Sequence, residues 1–440
     1  MSEQNLLKLA EELVEFGKKN GATQVEVSIG QGTNFTVDVL QGEIEKLTEA
    51  VSKGIGFRVF VEGKAASAGS SDFSEDTLHR LLTNAIRRAK LSSADPFSGL
   101  PDKEPITVDV SGLRIYDSAI LEMATEKKIT AAKETEAICL ADKRVKKTFG
   151  STFSTYIGEV FLANSNGFSG SYKRTGCSCG VNLQAGEEPN LFDEGWYDSS
   201  VNLAGLESPE TIAKKAVHRV TRLIGGRKVE SQNVPIVFEP PRTAGILGFF
   251  SRCVGGNNIY LKQSFLAGKI GEKIGNEHVT IINDGLMPCA PGTEPFDSEG
   301  VPTRKTVVME KGILQSYLLD TYSARKLGMK STGNSGGPNN LYLAAGLLTP
   351  EQIIKSVDKG LFLTGTIGFG QVPTTGDISR GAFGIWIENG ELTYPVAEIT
   401  ISGNLAQLLN GIEMVGNDLQ FKSSISGPTI KVAEMTVGGR

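Results

Sequence analysis

The chain has 440 residues, 39% apolar and 22% charged, with 45 basic against 50 acidic side chains and a net charge of −5. That length exceeds what one core organises, so two or three domains are expected; the slight acidity and the lack of a Lys/Arg block argue against direct binding to nucleic acid. No apolar run approaches the roughly 20 residues that cross a bilayer, the acidic N-terminus does not read as a signal peptide, and five cysteines read as reduced thiols of a cytoplasmic protein with no membrane partner.

From Ser2 to Lys19, Leu6, Leu9, Leu13 and Phe16 fall on one helical face, and Asn20-Gly21 supplies a left-handed stop. Alternating segments follow at Phe35–Leu40, Glu43–Leu47 and Gly56–Val61, the first two joined by a turn at Gln41-Gly42. Ser74 is placed to cap a second helix over Glu75–Lys90. Ser93–Asp109, with Pro96, Pro101 and Pro105, reads as a linker. The order then repeats: a helix over Ser118–Leu140, then strands over Thr155–Asn164 and Gly170–Gln184 around Asn166-Gly167. A further helix opens at Ser208-Pro209-Glu210 and ends at Gly225-Gly226.

From Val234 the character changes. Pro235–Phe238 reads as a short buried strand, Pro240-Pro241 as a break, and Thr243–Val254 as a helix. Hairpins over Val307–Leu314 and Gly384–Leu392 turn at Lys311-Gly312 and Asn389-Gly390. Between them Thr349-Pro350-Glu351-Gln352 is a capping box for a helix closed by Gly360, and a last short helix covers Leu405–Leu409. The 52 glycines, evenly spread, suit many tight turns between short strands. The expected fold class is α+β and strand-rich. Tandem helix–β-meander–helix units occupy 1–110 and 111–230, and a β-rich C-terminal domain with a few helices occupies 231–440, the boundary falling in Gly226–Asn233.

Three motifs tempt a chemical reading and are outweighed. Gly333-Asn-Ser-Gly-Gly-Pro338 has the look of a serine-peptidase loop, but no His-Cys pair stands upstream to supply a triad base. Cys177-x-Cys179 has no second cysteine pair to complete a metal site, and on a strand both thiols face one side. Gly365-Thr-Ile-Gly-Phe-Gly370 lacks the Gly-Lys-Ser/Thr ending of a phosphate cradle. The three histidines, His79, His218 and His278, share no helical spacing and no flanking Glu motif, whereas zinc needs about three converging donors.

One set of ordered motifs is specific. Ser264–Gly271, Glu299–Arg304, Asp320–Gly328, Ser331–Asn334 and Asn340–Leu343 are followed by Gly376–Gly381, Gly384–Gly390, Tyr394-Pro-Val and Ile401–Leu405. With Asn164-Ser-Asn-Gly-Phe168 in the N-terminal half, they resemble the TldD/PmbA family, the so-called modulators of DNA gyrase. The resemblance implies a two-part α+β chain that dimerises around a proteolytic chamber and acts on unfolded or short peptides. In the family's catalytic branch the helix matching Thr243–Val254 bears a zinc-binding His-Glu-x-x-x-His; here the corresponding positions are Leu247, Gly248 and Arg252. The C-terminal cysteine ligand has no counterpart, because no cysteine follows Cys289.

The chain therefore reads as the zinc-free, PmbA/TldE-like subunit of a metallopeptidase. No cofactor is expected in the chain itself and no catalytic residue is assigned. Zinc is expected in a TldD-like partner, with itself as the alternative partner. Peptide contact is assigned to Asp377, Ser379 and Arg380, read as a substrate-facing loop before the hairpin bearing Trp386, with a structural turn as the plain alternative. Arg304, Tyr322 and Arg325 lie in the same matched motifs, and arginine suits a bidentate grip on a carboxylate. A homodimeric peptide binder and a self-sufficient peptidase remain as alternatives.

Overall fold

The computed structural model describes residues 3–105, 109–188 and 190–439; Ser2, the expected first helical residue, and residues 106–108 of the expected linker lie outside them. The N-terminal half opens with α1 (Glu3–Lys19), β1 (Gln24–Leu40), β2 (Glu43–Val61), β3 (Lys64–Ser70) and α2 (Glu75–Leu91). It continues with α3 (Ser118–Glu122), α4 (Thr125–Leu140), β4 (Val145–Asn164), β5 (Ser169–Glu187), β6 (Asn190–Ser200) and α5 (Pro209–Thr221). The strands form one antiparallel sheet in the order β3-β2-β1-β4-β5-β6, because β1 pairs with β4 from Glu26 opposite Asn164 to Val39 opposite Ser151.

Val25, Val27, Ile29, Val37 and Val39 are all buried, and their spacing by twos puts them on one face of β1. Leu6 and Leu13 of α1 and Leu78 and Leu82 of α2 cover one end of that face. Ala132 of α4 and Ile212, Ala216 and Val220 of α5 cover the other. The opposite face meets the C-terminal half: Arg58 bridges Glu26 and Glu299 at 3.1 and 3.0 Å, and Leu162 and Tyr172 pack with Phe296.

Several boundaries differ from the sequence reading. β1 and β2 run unbroken for 17 and 19 residues, although only their apolar parts alternate visibly. β3 escapes pattern reading because it is built mainly of alanine, serine and glycine, and β6 because Leu191, Phe192, Trp196 and Tyr197 fall in adjacent pairs and do not alternate with its polar residues. The expected Ser118–Leu140 helix breaks at Met123-Ala124 into α3 and α4. Ser74 stands at the N-cap of α2 without a side-chain cap bond; Asp72 accepts instead from the Ser74 N–H and the Thr77 hydroxyl.

The C-terminal half begins with β7 (Gln232–Phe238), α6 (Pro240–Val254), α7 (Gly256–Tyr260), β8 (Ile281–Asp284), β9 (Lys305–Glu310), β10 (Ile313–Leu314) and α8 (Thr321–Lys326). Next come β11 (Asn340–Leu343), α9 (Pro350–Lys355), β12 (Lys359–Ile367), β13 (Gln371–Val372) and β14 (Asp377–Glu388). The last elements are β15 (Glu391–Asn404), α10 (Leu405–Asn410), β16 (Ile412–Val415), β17 (Ile425–Ser426) and β18 (Ile430–Gly438). The capping box at Thr349 and Gln352 forms, but α9 ends at Lys355 and the expected stop, Gly360, lies in β12.

Strands β12, β7, β18, β15 and β14 pair in that order, and β14 pairs back onto β12, closing a five-stranded barrel. β12 shows the pattern closure requires: Leu361 and Leu363 join the main core, while Phe362 packs outside with Ile353 and Val357. A strand buried on both faces must be apolar throughout. A second sheet has the order β10-β9-β8-β11-β17. Helix α6 is held between the two, with Ile246, Leu247, Phe249, Phe250 and Cys253 in one core with Trp386 of the barrel and Leu341 of the second sheet.

Candidate functional site

Helix α6 leaves the end of β7 through Pro240 and Pro241 at its first turn, which fix the backbone angle and remove two N–H donors that would otherwise be unpaired. Positions 247 and 252 lie five residues apart, about 140° around the helix axis. Leu247 is 2% exposed and belongs to the core. Gly248 faces Ile425, whose Cδ1 lies 3.8 Å from where a Cβ would stand. Arg252 is exposed and donates to Gln371 Oε1 at 2.5 Å. The three positions do not converge, and none of the three side chains is an ordinary zinc ligand.

Beside the N-terminal end of α6 a cavity of about 800 Å³ wraps the edge of β6. Glu194 and Trp196 reach it from the helix-covered face of the sheet, and Gly195 and Tyr197 from the opposite face. Lys215 and Arg219 of α5, Glu239 and Arg242 around the start of α6, and the segment from Asp418 to Gly427 complete the wall. Among the described residues β6 pairs with β5 alone, so no described strand lies on its outer edge.

The wall is highly charged. Arg219 donates to Glu239 at 2.9 Å and to Glu194 at 3.5 Å, and its guanidinium lies 5.2 Å from the centre of the Trp196 ring. Arg222 also donates to Glu239, and burial draws its guanidinium below the ordinary range despite that carboxylate. Trp196 Nε1 donates to Glu207, which also binds Lys215 at 2.7 Å. Burial holds the Arg242 guanidinium below its ordinary range; Glu194 and Glu239 oppose the shift, and Arg219 and Arg380 add to it.

The six residues assigned to peptide contact separate into two places. Asp377, Ser379 and Arg380 lie at the start of strand β14 and not on a loop. Asp377 accepts from Thr375 and Asn404, which hold its carboxyl below the usual range. The Ser379 N–H donates to the Gly370 carbonyl, and Arg380 donates to the Gly368 carbonyl at 2.8 Å. Arg304, Tyr322 and Arg325 instead hold the chain's own linker. Arg304 meets Glu104 at 3.0 Å, Tyr322 donates to Asp95 at 2.7 Å, and Arg325 donates to the carbonyls of Phe97 and Leu100.

Sequence reading did not single out Arg219, Glu239 or Arg242. Their one local signal is Glu239-Pro-Pro-Arg242 at a strand-to-helix junction; the rest of the cluster comes from β6 and α5, remote in sequence.

The other titratable groups have packing roles. His79 stacks on Phe16 at 3.8 Å, and burial, with Arg222 nearby, lowers the pKa of His218. The backbone N–H of His278 donates to Asn276. Burial pushes the thiols of Cys139, Cys177 and Cys253 up to about 12, which keeps them protonated. Ser335, in the loop resembling a serine-peptidase motif, gives its backbone N–H to Asp297. Among the described residues no group of three His, Cys, Asp or Glu is placed to hold a metal ion, and no helix is long and apolar enough to cross a membrane. The side chains at positions 247, 248 and 252 do not fit zinc.

Three family domains match the chain in order: PmbA/TldA metallopeptidase domain 1 over residues 25–89, the central domain over 119–224 and the C-terminal domain over 231–439. Metalloprotease PmbA of Escherichia coli O157:H7 is 33% identical over 425 residues, covering 96% of this chain and 93% of that protein. A Bacteroides thetaiotaomicron crystal structure named for modulation of DNA gyrase superposes with a TM-score of 0.93 at 28% identity, over 100% of both chains. TldE from Thermococcus kodakarensis, at 23% identity and a TM-score of 0.84 over 98% of this chain and 99% of its own, shares the fold. With all three domains matched in order and a full-length relative at this identity, the chain is a member of the PmbA/TldD metallopeptidase family.

Proposed function

We propose that this chain is the zinc-free subunit of a peptidase, and that it holds extended, unfolded or short peptides while a zinc-bearing relative carries out hydrolysis. The observation that carries the reading is helix α6. Membership of a metallopeptidase family leads one to expect metal donors there, yet Leu247 is packed in the core, Gly248 has no side chain and Arg252 is tied to Gln371. The free edge of β6 beside a large cavity supports peptide holding, since a strand edge binds backbone of any sequence through main-chain hydrogen bonds. Asp377, Ser379 and Arg380 lie outside the lining of that cavity, and they are proposed as secondary contacts on the strength of their sequence motif alone. We assign the complex to the cytoplasm, with no direct contact to nucleic acid.

The test is a peptidase assay on an unstructured peptide with this chain alone, a zinc-bearing relative alone, and the mixture. Activity is expected only in the mixture and is expected to vanish with chelator. Full activity from the relative alone would remove the proposed role, and stoichiometric zinc in the purified chain would overturn the zinc-free assignment.

A further inference from the structure

Of the basic side chains around the β6 cavity, one is left over. Lys215 pairs with Glu207 at 2.7 Å, Lys422 with Asp198 at 2.8 Å, and Arg219 with Glu239 at 2.9 Å. The Arg242 side chain makes no hydrogen bond or ion pair among the described residues, and its Nε is buried without an acceptor, while its backbone N–H donates to the Glu239 carbonyl at 2.8 Å. A half-buried guanidinium with no hydrogen-bond partner loses hydration that the nearby carboxylates of Glu194 and Glu239 offset only through space. Such a group is what a receptor for an anion looks like before the anion arrives.

The surroundings define which anion fits. The cavity is bounded by the unpaired edge of β6, where Glu194 to Tyr197 run alongside. An extended peptide adding to that edge would bring a backbone and, at one end, a carboxylate. The planar fork of an arginine takes a carboxylate through two parallel hydrogen bonds. Pro240 and Pro241 take away two backbone donors at the start of α6, so the side chain of Arg242 is the available donor there. The acids Glu194 and Glu239 are already bound by Arg219, which leaves Arg242 to an incoming group.

We propose that Arg242 receives the C-terminal carboxylate of a peptide laid along the free edge of β6, so that this site reads a chain end in preference to side chains. The proposal rests on the peptide-holding reading above and narrows it to peptides with a free C-terminus.

The chain has two tryptophans; Trp386 is sealed in the barrel core, so a fluorescence change on adding ligand reports Trp196 at the cavity. A short alanine- and serine-rich peptide is titrated into the full chain, once as the free acid and once as the C-terminal amide. The free acid is expected to bind about tenfold or more tightly than the amide, as one bidentate charge-assisted contact provides. In Arg242→Gln the preference is expected to vanish while thermal stability is unchanged or raised, because an unpaired, partly buried charge has been removed. Arg242→Lys, which keeps the charge without the fork, is expected to retain part of the preference. Equal binding of acid and amide, unaffected by Arg242→Gln, overturns the chain-end assignment and leaves peptide holding intact. If neither peptide binds, either to the chain alone or to its mixture with a zinc-bearing relative, both readings fall.

Discussion

The two halves of the molecule solve the edge problem of a β-sheet in opposite ways. The C-terminal barrel closes on itself through β14 and β12, so its five strands share no open edge. The N-terminal sheet stays open. β6 ends it on one side, and on the other the stretch of β2 before Ile55 extends past the reach of β3. There Val51 is 80% exposed and Leu47 46%. Closure fixes the support for α6, whose buried face must not shift if the groove beside it is to keep its shape. Openness leaves unsatisfied main-chain donors and acceptors where a ligand strand can add. The cavity lies where these two solutions meet, with a rigid helix on one wall and a free edge on the other.

That contrast is best broken first at Trp386, which is 1% exposed and stacked near Tyr394 with ring centres 6.5 Å apart. Trp386→Ala is expected to cost about 3–5 kcal/mol, because a closed barrel cannot collapse around the space left behind. Chemical denaturation checks this, and a cost under about 1 kcal/mol would mean the barrel is far more pliable than its closure implies.

Asp297 tests the loop that carries Glu299, the partner of Arg58, to the junction between the halves. Its carboxylate accepts the N–H groups of Glu299 and Ser335 at 2.9 Å and Val301 at 3.0 Å. Burial nonetheless pushes its pKa up to about 7 from an ordinary value of 3.8. The folded chain thus keeps a proton that the unfolded chain has released, and stability from this group is present at the acid end of that range. It is lost as pH rises towards about 7 and is constant above. Measured against Asp297→Asn, the melting temperature of the natural chain is expected to fall across this window and then run parallel. A difference that stays flat from pH 4 to pH 8 would show that this carboxyl is not shifted.

The smallest effect is expected at the open edge. Val51→Thr removes apolar surface that touches little, so stability should move by no more than about 0.5 kcal/mol. A loss beyond 1 kcal/mol would show that this stretch of β2 is covered in solution.

Much of the architecture was legible because local chemistry dictates it. The turns at Gln41-Gly42, Lys311-Gly312 and Asn389-Gly390 all adopt positive φ at both residues, as the residue types require. Ser208 caps α5 through the Thr211 N–H, and α6 forms over the segment read as helical. Local pattern misses β3, which has no large apolar residue, β6, whose apolar residues come in adjacent pairs, and the helix break at Met123-Ala124. The candidate site was less legible. Arg304, Tyr322 and Arg325, secondary candidates for peptide contact, bond the linker between Asp95 and Glu104, a set of contacts that no local pattern announces.

Residue types alone were enough for the α+β class and for turns and caps such as Gln41-Gly42 and Ser208. All of these depend on residue types within a few positions of each other. It took three-dimensional pairing to fuse two meanders along β1 and β4 into one sheet, to close five strands into a barrel, and to leave the Arg242 side chain without a hydrogen bond or ion pair among the described residues beside the β6 edge. Those outcomes depend on pairings across tens to hundreds of residues, where many partners share the same local pattern. Burial and hydrogen-bond satisfaction in three dimensions select among them.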